Sequence, residues 1–294
     1  MPSLKRTKNV SEIPAGIKYT AKALQAISTT LTVTFAKTLF TTPIKYKLPK
    51  RESEMDKNST QEFLHIPSID KKIMTYSYGN APKKVLLVHG WSGRGTQLVK
   101  IADKMLEIGY STISFDAPAH GKSPGKQTLM IEFIESILEI NKKYGPFEFA
   151  IGHSLGSMSI LNAVKQGLQV KKLVLVGSGD SVNDIVSDFI KKLELKPLIG
   201  EKMKAIFKKK YNEEMENYSS YKAAENISIP VLVIHDKDDE DVPYTAGENI
   251  HKHLKNSQFI LTKELGHRKI LGDKKVIQQI ANFLKEYNIN PTSI

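Results

Sequence analysis

The stretch Phe149-Ala150-Ile151-Gly152-His153-Ser154-Leu155-Gly156 decides how the rest of the chain is read. It passes from a short apolar run at 147–151 into a helical pattern over 155–165, so Gly-x-Ser-x-Gly stands between a buried strand and a helix. A turn that sharp leaves no room for bulk two residues before and two residues after the serine. It also presents the Ser154 hydroxyl at a helix N-terminus, where the backbone dipole favours developing negative charge. Ser154 is therefore the candidate nucleophile, against the plainer reading of a serine that caps a helix.

A serine hydroxyl needs a base to take its proton, and the base needs a third group to hold its tautomer. Downstream, His267 sits in Glu264-Leu265-Gly266-His267-Arg268, just past an apolar run at 258–261, where a loop at the carboxyl edge of a sheet is expected. His251 and His253, two apart on an expected helix, point to different faces and suit solvent better than a shared site. His235 follows the apolar run 231–234 and reads as a loop residue near the site. The acid must come from Asp236-Lys237-Asp238-Asp239-Glu240-Asp241-Val242-Pro243, with Asp236 suited to the turn itself. Spacing alone does not choose among Asp238, Asp239 and Asp241.

Val85-Leu86-Leu87-Val88-His89-Gly90-Trp91-Ser92-Gly93 supplies a second glycine-rich turn after an apolar run. An acyl oxyanion needs two donors about 3 Å away, and the backbone N–H groups of Trp91 and Leu155 are the candidates for that oxyanion hole. No Gly-Lys-Ser/Thr follows, which excludes a phosphate-binding P-loop.

Around these motifs, short β-branched runs at 73–76, 85–88, 112–115, 147–151, 173–176, 231–234 and 258–261 alternate with helical patterns at 97–108, 129–144, 155–165, 246–254 and 274–287. That alternation predicts an α/β fold, a mostly parallel sheet with helices on both faces. The rhythm breaks between 176 and 231, where only helical patterns near 184–193 and 199–211 occur, so 181–226 is expected as a small helical cap insert. The core then divides into 61–180 and 227–294. At 294 residues, 40% hydrophobic and 25% charged, the chain can enclose a large core. Having no cysteine, it has no disulfide framework, no thiolate zinc site and no cysteine nucleophile.

Taken together, Val88-His89-Gly90-Trp91, Asp116-Ala117-Pro118-Ala119-His120-Gly121-Lys122-Ser123, the Gly152–Gly156 turn, Asp236–Pro243 and Gly266-His267 resemble the signature loops of the α/β-hydrolase fold superfamily of serine hydrolases, over roughly residues 61–294. The resemblance implies an eight-stranded sheet, with the order Ser, Asp, His along the chain. It also singles out Asp239 as the acid, because Asp236-x-x-Asp239-x-x-Val242-Pro243 matches a family stretch usually written with Gly in the first place; Asp at 236 is the departure. What it implies chemically is a serine esterase with Ser154, Asp239 and His267 as its triad. Thioesterase and peptidase activity with the same residues, and a non-catalytic binding protein on this fold, are the rivals. No metal or organic cofactor is implied, and the expected partner is a small-molecule ester substrate.

Residues 1–60 carry eleven Lys or Arg against four Asp or Glu, more than half of the net charge of +12. Leu24, Ile27, Leu31, Phe35 and Leu39 recur at helical spacing, which predicts one amphipathic helix over 15–40 ended before Pro43, followed by a pattern-free linker at 48–60. The N-terminal helical extension suits either docking against the body or a weak membrane-surface contact, with Lys5, Arg6, Lys8, Lys18 and Lys22 at its basic end. No run reaches the length of a membrane span and no signal-peptide pattern appears, so a cytoplasmic location is expected. Basic and aromatic residues do not interleave as they would for nucleic acid, and no nucleic-acid partner is expected.

Overall fold

The computed structural model describes residues 13–285. Lys5, Arg6, Lys8 and the end of the helical pattern at 274–287 lie outside the described residues. Among the described residues, eight strands form one sheet: β1 Thr60–Ile66, β2 Lys71–Tyr78, β3 Lys84–Val88, β4 Ser111–Asp116, β5 Phe149–His153, β6 Lys172–Val176, β7 Val231–Asp236 and β8 Ser257–Thr262. Their order is β1-β2-β4-β3-β5-β6-β7-β8. β2 pairs antiparallel with both β1 and β4, and every pairing from β4 to β8 is parallel.

The helices in chain order are α1 Ala15–Ile27, α2 Thr29–Thr41, α3 Ser53–Asn58, α4 Val99–Glu107, α5 Met130–Tyr144, α6 Leu155–Lys165, α7 Val182–Lys192, α8 Pro197–Tyr211, α9 Ser220–Ala224, α10 Tyr244–His253, α11 Gly266–Lys269 and α12 Lys274–Lys285. The described residues up to Phe40, with Asn183–Met215, form one compact unit. Thr41–Val182 and the described residues from Glu216 onward form the other, which contains the whole sheet.

Within that second unit, the two-residue period of a strand sends neighbouring side chains into different cores. Val85 and Leu87 join Ile151, Val176 and Ile234 with Ile101 and Met105 of α4 and Ile280 and Phe283 of α12. Leu86 and Val88 instead join Ala150, Leu175 and Val233 with Phe133 and Ile137 of α5 and Ile160 and Leu161 of α6. Both faces of the sheet are thus covered, which is why its central strands read as unbroken apolar runs. The carboxyl ends of β3, β5, β6, β7 and β8 share one edge, set by registers such as Val88 opposite Gly152 and His153 opposite Val176. In open parallel sheets that edge is where ligands bind.

Two local expectations are corrected here. The segment 48–60 is not a pattern-free linker: it contains a 3-10 turn at Lys50–Glu52 and α3, with Met55 and Glu52 buried and Thr96 Oγ1 donating to Glu52 Oε2 at 2.8 Å. One methionine and one paired carboxylate anchor it, too few residues to leave a period in the sequence.

The single helix expected over 15–40 is two. Ser28, extended at φ −157°, ψ 122°, ends α1 by donating its N–H to the Leu24 carbonyl, and its own Oγ accepts from the Leu31 N–H at the start of α2. A serine followed by two threonines favours such a cap over continued helix. Nor is the apolar stripe buried as a whole, because Ile27 is 77% and Leu31 52% exposed and Phe35 is half-buried. In this first unit, Lys18 and Lys22 pair with Glu194, Gln25 Oε1 accepts the Lys196 N–H at 2.7 Å, and the Phe40 ring meets Phe189 edge-on at 5.1 Å. α7 and α8 approach at Gly200, where a Cβ would stand 3.3 Å from Ile190 and 3.5 Å from Val186. No described helix is long and apolar enough to cross a membrane.

Candidate active site

Ser154 sits between β5 and α6 with φ 53° and ψ −120°, a left-handed conformation that costs a non-glycine residue about 1–3 kcal/mol. The surroundings hold it there: its N–H donates to the Val176 carbonyl at 2.9 Å, and its carbonyl accepts the Ser157 N–H at 3.0 Å. The turn also explains its flanking glycine, since a Cβ at Gly156 would lie 2.3 Å from the Val88 carbonyl oxygen. Without that Cβ, α6 can start against the end of β3.

His267 lies in α11, immediately after the β8 loop, and its Nδ1 is 2.7 Å from Asp239 Oδ2. Asp239 is in the loop after β7 and its side chain is 1% exposed. Its other oxygen accepts the N–H groups of Asp241 and Val242, each at 2.9 Å. Burial opposes the charge on Asp239, but hydrogen bonds from His235 and His267, together with the Val242 N–H, outweigh it and hold the carboxyl well below the usual carboxylate range. An ionised Asp239 only accepts, so Nδ1 of His267 donates and Nε2 keeps the lone pair.

The dyad and the elbow meet around β6. A Cβ on Gly177, the residue after Val176, would stand 3.3 Å from His267 Nδ1 and 3.5 Å from Asp239 Oδ2. The His153 ring packs on that of His267 at 4.6 Å between centroids. No hydrogen bond joins the Ser154 hydroxyl to His267 among the described residues; such bonds often close only when substrate is bound.

Of the candidates left open by spacing, Asp239 pairs with His267, whereas Asp241 pairs with Arg268 at 3.1 Å and Asp238 accepts the Glu264 N–H at 2.9 Å. His251 and His253 bond Ser257 Oγ and the Asn249 carbonyl instead. His235 is not a loop residue. It lies within β7, fully buried, with Nε2 3.1 Å from the Val242 carbonyl oxygen and 3.4 Å from Asp239 Oδ2.

His153 was read only as an unspecified place in the motif, yet its Nε2 donates to the His267 carbonyl at 2.8 Å. Burial and the neighbouring His267 push it down to about 3, so its ring is neutral at neutral pH. The usable signal for both histidines was a polar ring at or next to the end of a fully buried strand, which must find a partner close by.

The glycine-rich loop after β3 is fastened donor by donor. Gly90 N–H donates to Gln97 Oε1 at 2.9 Å, Gly93 N–H to the Gly90 carbonyl at 2.9 Å, Ser92 N–H to His120 Nε2 at 3.0 Å and Gly95 N–H to Asp116 Oδ1 at 2.7 Å. The Trp91 N–H meets no acceptor among the described residues, and Leu155 is the first residue of α6, where a helix leaves its N–H without an intrahelical partner. The two are brought close because Gly90 touches the elbow: a Cβ there would be 3.0 Å from the Ser154 Cβ. His120, its pKa pushed to about 4 by burial, accepts through Nε2 as a neutral ring.

A family model described as alpha/beta hydrolase fold matches residues 83–197, and one described as TAP-like protein matches residues 208–293. Among curated proteins, the chain is 24% identical over 230 residues to a lysophosphatidylserine lipase, ABHD12, of Danio rerio, covering 72% of this chain and 59% of that relative's length. Among solved structures, an esterase from Exiguobacterium antarcticum superposes with a TM-score of 0.60 at 18% identity, covering 77% of this chain and 100% of its own. A bromoperoxidase from Bacillus anthracis gives 0.59 at 16% identity, with the same coverage. Neighbours so different in activity speak for the fold. The two family models, over residues 83–197 and 208–293, agree with the sheet order, the elbow after β5 and the loops after β7 and β8, and the chain belongs to the α/β-hydrolase fold superfamily.

Proposed function

We propose that the protein is a serine hydrolase that cleaves carboxylic esters through an acyl-enzyme intermediate. The observation that carries this reading is the 2.7 Å bond between His267 Nδ1 and a buried Asp239, at the sheet edge where Ser154 is held in a strained elbow. Ser154 Oγ attacks the ester carbonyl as His267 Nε2 takes its proton. The oxyanion is held by the N–H groups of Trp91 and Leu155. The C–O bond to the alcohol then breaks, and the leaving alkoxide takes the proton from His267. Water, deprotonated by the same nitrogen, attacks the acyl-serine; the C–O bond to Ser154 breaks, Ser154 Oγ takes the proton back from His267, and the carboxylic acid is released. Asp239 keeps its charge throughout and steadies the imidazolium.

An ester is favoured over an amide because an alkoxide is easier to expel than an amine. A panel of p-nitrophenyl esters, acyl thioesters and short peptides tests this reading with the wild type and Ser154→Ala. Ester turnover is expected to exceed peptide turnover, and the variant to lose on the order of 10⁴-fold in kcat. Faster peptide cleavage, or full ester turnover by Ser154→Ala, overturns the proposal.

A further inference from the structure

The residues between α2 and the 3-10 turn at Lys50–Glu52 form neither helix nor strand, yet they are fastened to the loop that carries Trp91. The Ile44 N–H donates to Ser92 Oγ at 3.0 Å. The Arg94 guanidinium donates to the Tyr46 carbonyl and, at 3.3 Å, to that of Lys47. Lys45 Nζ donates to the Ser123 carbonyl at 2.9 Å. The strap therefore runs alongside residues 92–94, with Ile44 beside Ser92 and Tyr46 beside Arg94. Ser92 itself is held left-handed at φ 57°, its N–H on His120 and its hydroxyl on the strap.

Those bonds use backbone atoms of residues 44, 46 and 47 and leave the apolar side chains outward. Ile44 is 62% exposed, Tyr46 51%, and Leu48 and Trp91 are exposed as well. Of the six large apolar side chains exposed among the described residues of the unit that holds the sheet, these four fall on the strap and its loop; Phe63 and Leu261 are the other two. Isolated exposed apolar residues need no explanation, but four gathered at one loop do. That loop touches the elbow through Gly90.

We propose that residues 42–48, together with Trp91, form a subsite for the apolar chain of the ester, so that acyl chains of about six carbons or more are preferred. The inference rests on the serine hydrolase reading and adds the substrate class. A chain whose carbonyl is held at Ser154 and the Trp91 N–H passes along the surface that Trp91, Ile44 and Tyr46 leave open. Because the strap is bonded to the same loop, the surface that receives the chain is fixed relative to the donor that receives the oxyanion.

The test is the double variant Ile44→Ser with Tyr46→Ser, which alters exposed side chains and keeps the backbone bonds to Ser92 and Arg94. Its kcat/KM is compared with wild type on p-nitrophenyl esters from acetate to dodecanoate, alongside the rate of labelling of Ser154 by a short-alkyl fluorophosphonate. Expected is a loss of about tenfold or more on decanoate and dodecanoate, carried by KM, the change that two fewer buried methylenes bring. Acetate turnover and labelling should stay within twofold of wild type. An unchanged chain-length profile overturns the subsite, and so does an equal loss at every length, which assigns the strap to holding the loop alone. Failure of the wild type to label at all overturns the hydrolase reading and this inference with it, an outcome distinct from normal labelling with a flat profile.

Discussion

Asp236 occupies the place where the family stretch usually carries Gly, and its carboxylate ties the loop after β7 to the loop after β8. Oδ1 accepts the N–H groups of Asp238 at 3.0 Å and Gly266 at 2.9 Å, and Oδ2 accepts the Leu265 N–H at 3.2 Å and the Thr262 hydroxyl at 2.7 Å. Leu265 and Gly266 immediately precede His267, so a side chain that read as a turn former positions the proposed base. Truncating it leaves backbone donors without an acceptor, at about 1–3 kcal/mol for each that stays buried. Asp236→Ala should lower the melting temperature and cut kcat by roughly tenfold or more with little change in KM, because the base loses its seat while the substrate surface stays. A variant that melts lower with undiminished kcat would confine Asp236 to stability. At this scale Asp239 was legible only through its register with Val242-Pro243, since five carboxylates in six positions look alike until one is buried against a histidine. The roles of His153 and His235 were not legible, because each depends on partners 114 and 7 residues away that only the fold brings to hand.

Among the elements, what could be read was what is buried on both sides. The runs that match β2 to β7 are apolar because both faces are covered there, the run that matches β8 is half-buried at the other edge, with Phe259 and Ile260 packed on the two cores, and α6 begins at Leu155 as its motif requires. β1 was missed for the converse reason: it is an edge strand, exposed along most of Thr60–Ile66, so its sequence carries little of the apolar signal of a strand. α3 was missed because a six-residue helix held by Met55 shows no period. The break at Ser28 was hidden by an apolar repeat that continues across it, and only the capping chemistry of Ser28 distinguishes one helix from two. The helical patterns expected near 184–193 and 199–211 are only partly covered: Leu193, Ile199, Met203 and Phe207 are buried, while Leu198 and Ile206 stay exposed. Helical spacing marks a face without saying what meets it.

For the molecule as a whole, folding buries histidines in neutral form, and that sets its response to acid. Burial takes His120 to about 4 and His153 to about 3, and lowers His89 too, from an unfolded value near 6.5. Below pH 6.5 the unfolded chain therefore binds more protons than the folded one, and stability falls as pH drops, by up to about 1.4 kcal/mol per pH unit for each such histidine. Asp239 acts in the same sense but lower down: its depressed pKa contributes stability above about pH 3.8 that is lost only in stronger acid. Melting curves in high salt, which screens the net charge of +12, should show the melting temperature falling between pH 7 and pH 5; a flat or rising profile contradicts the neutral, buried state of these rings. The central claim concerns chemistry, and one measurement bears on it most directly. The protein is treated with a fluorophosphonate at neutral pH, digested, and the adduct mapped by mass spectrometry. The account predicts a single adduct on the peptide carrying Ser154; no adduct, or one on another serine, would contradict it.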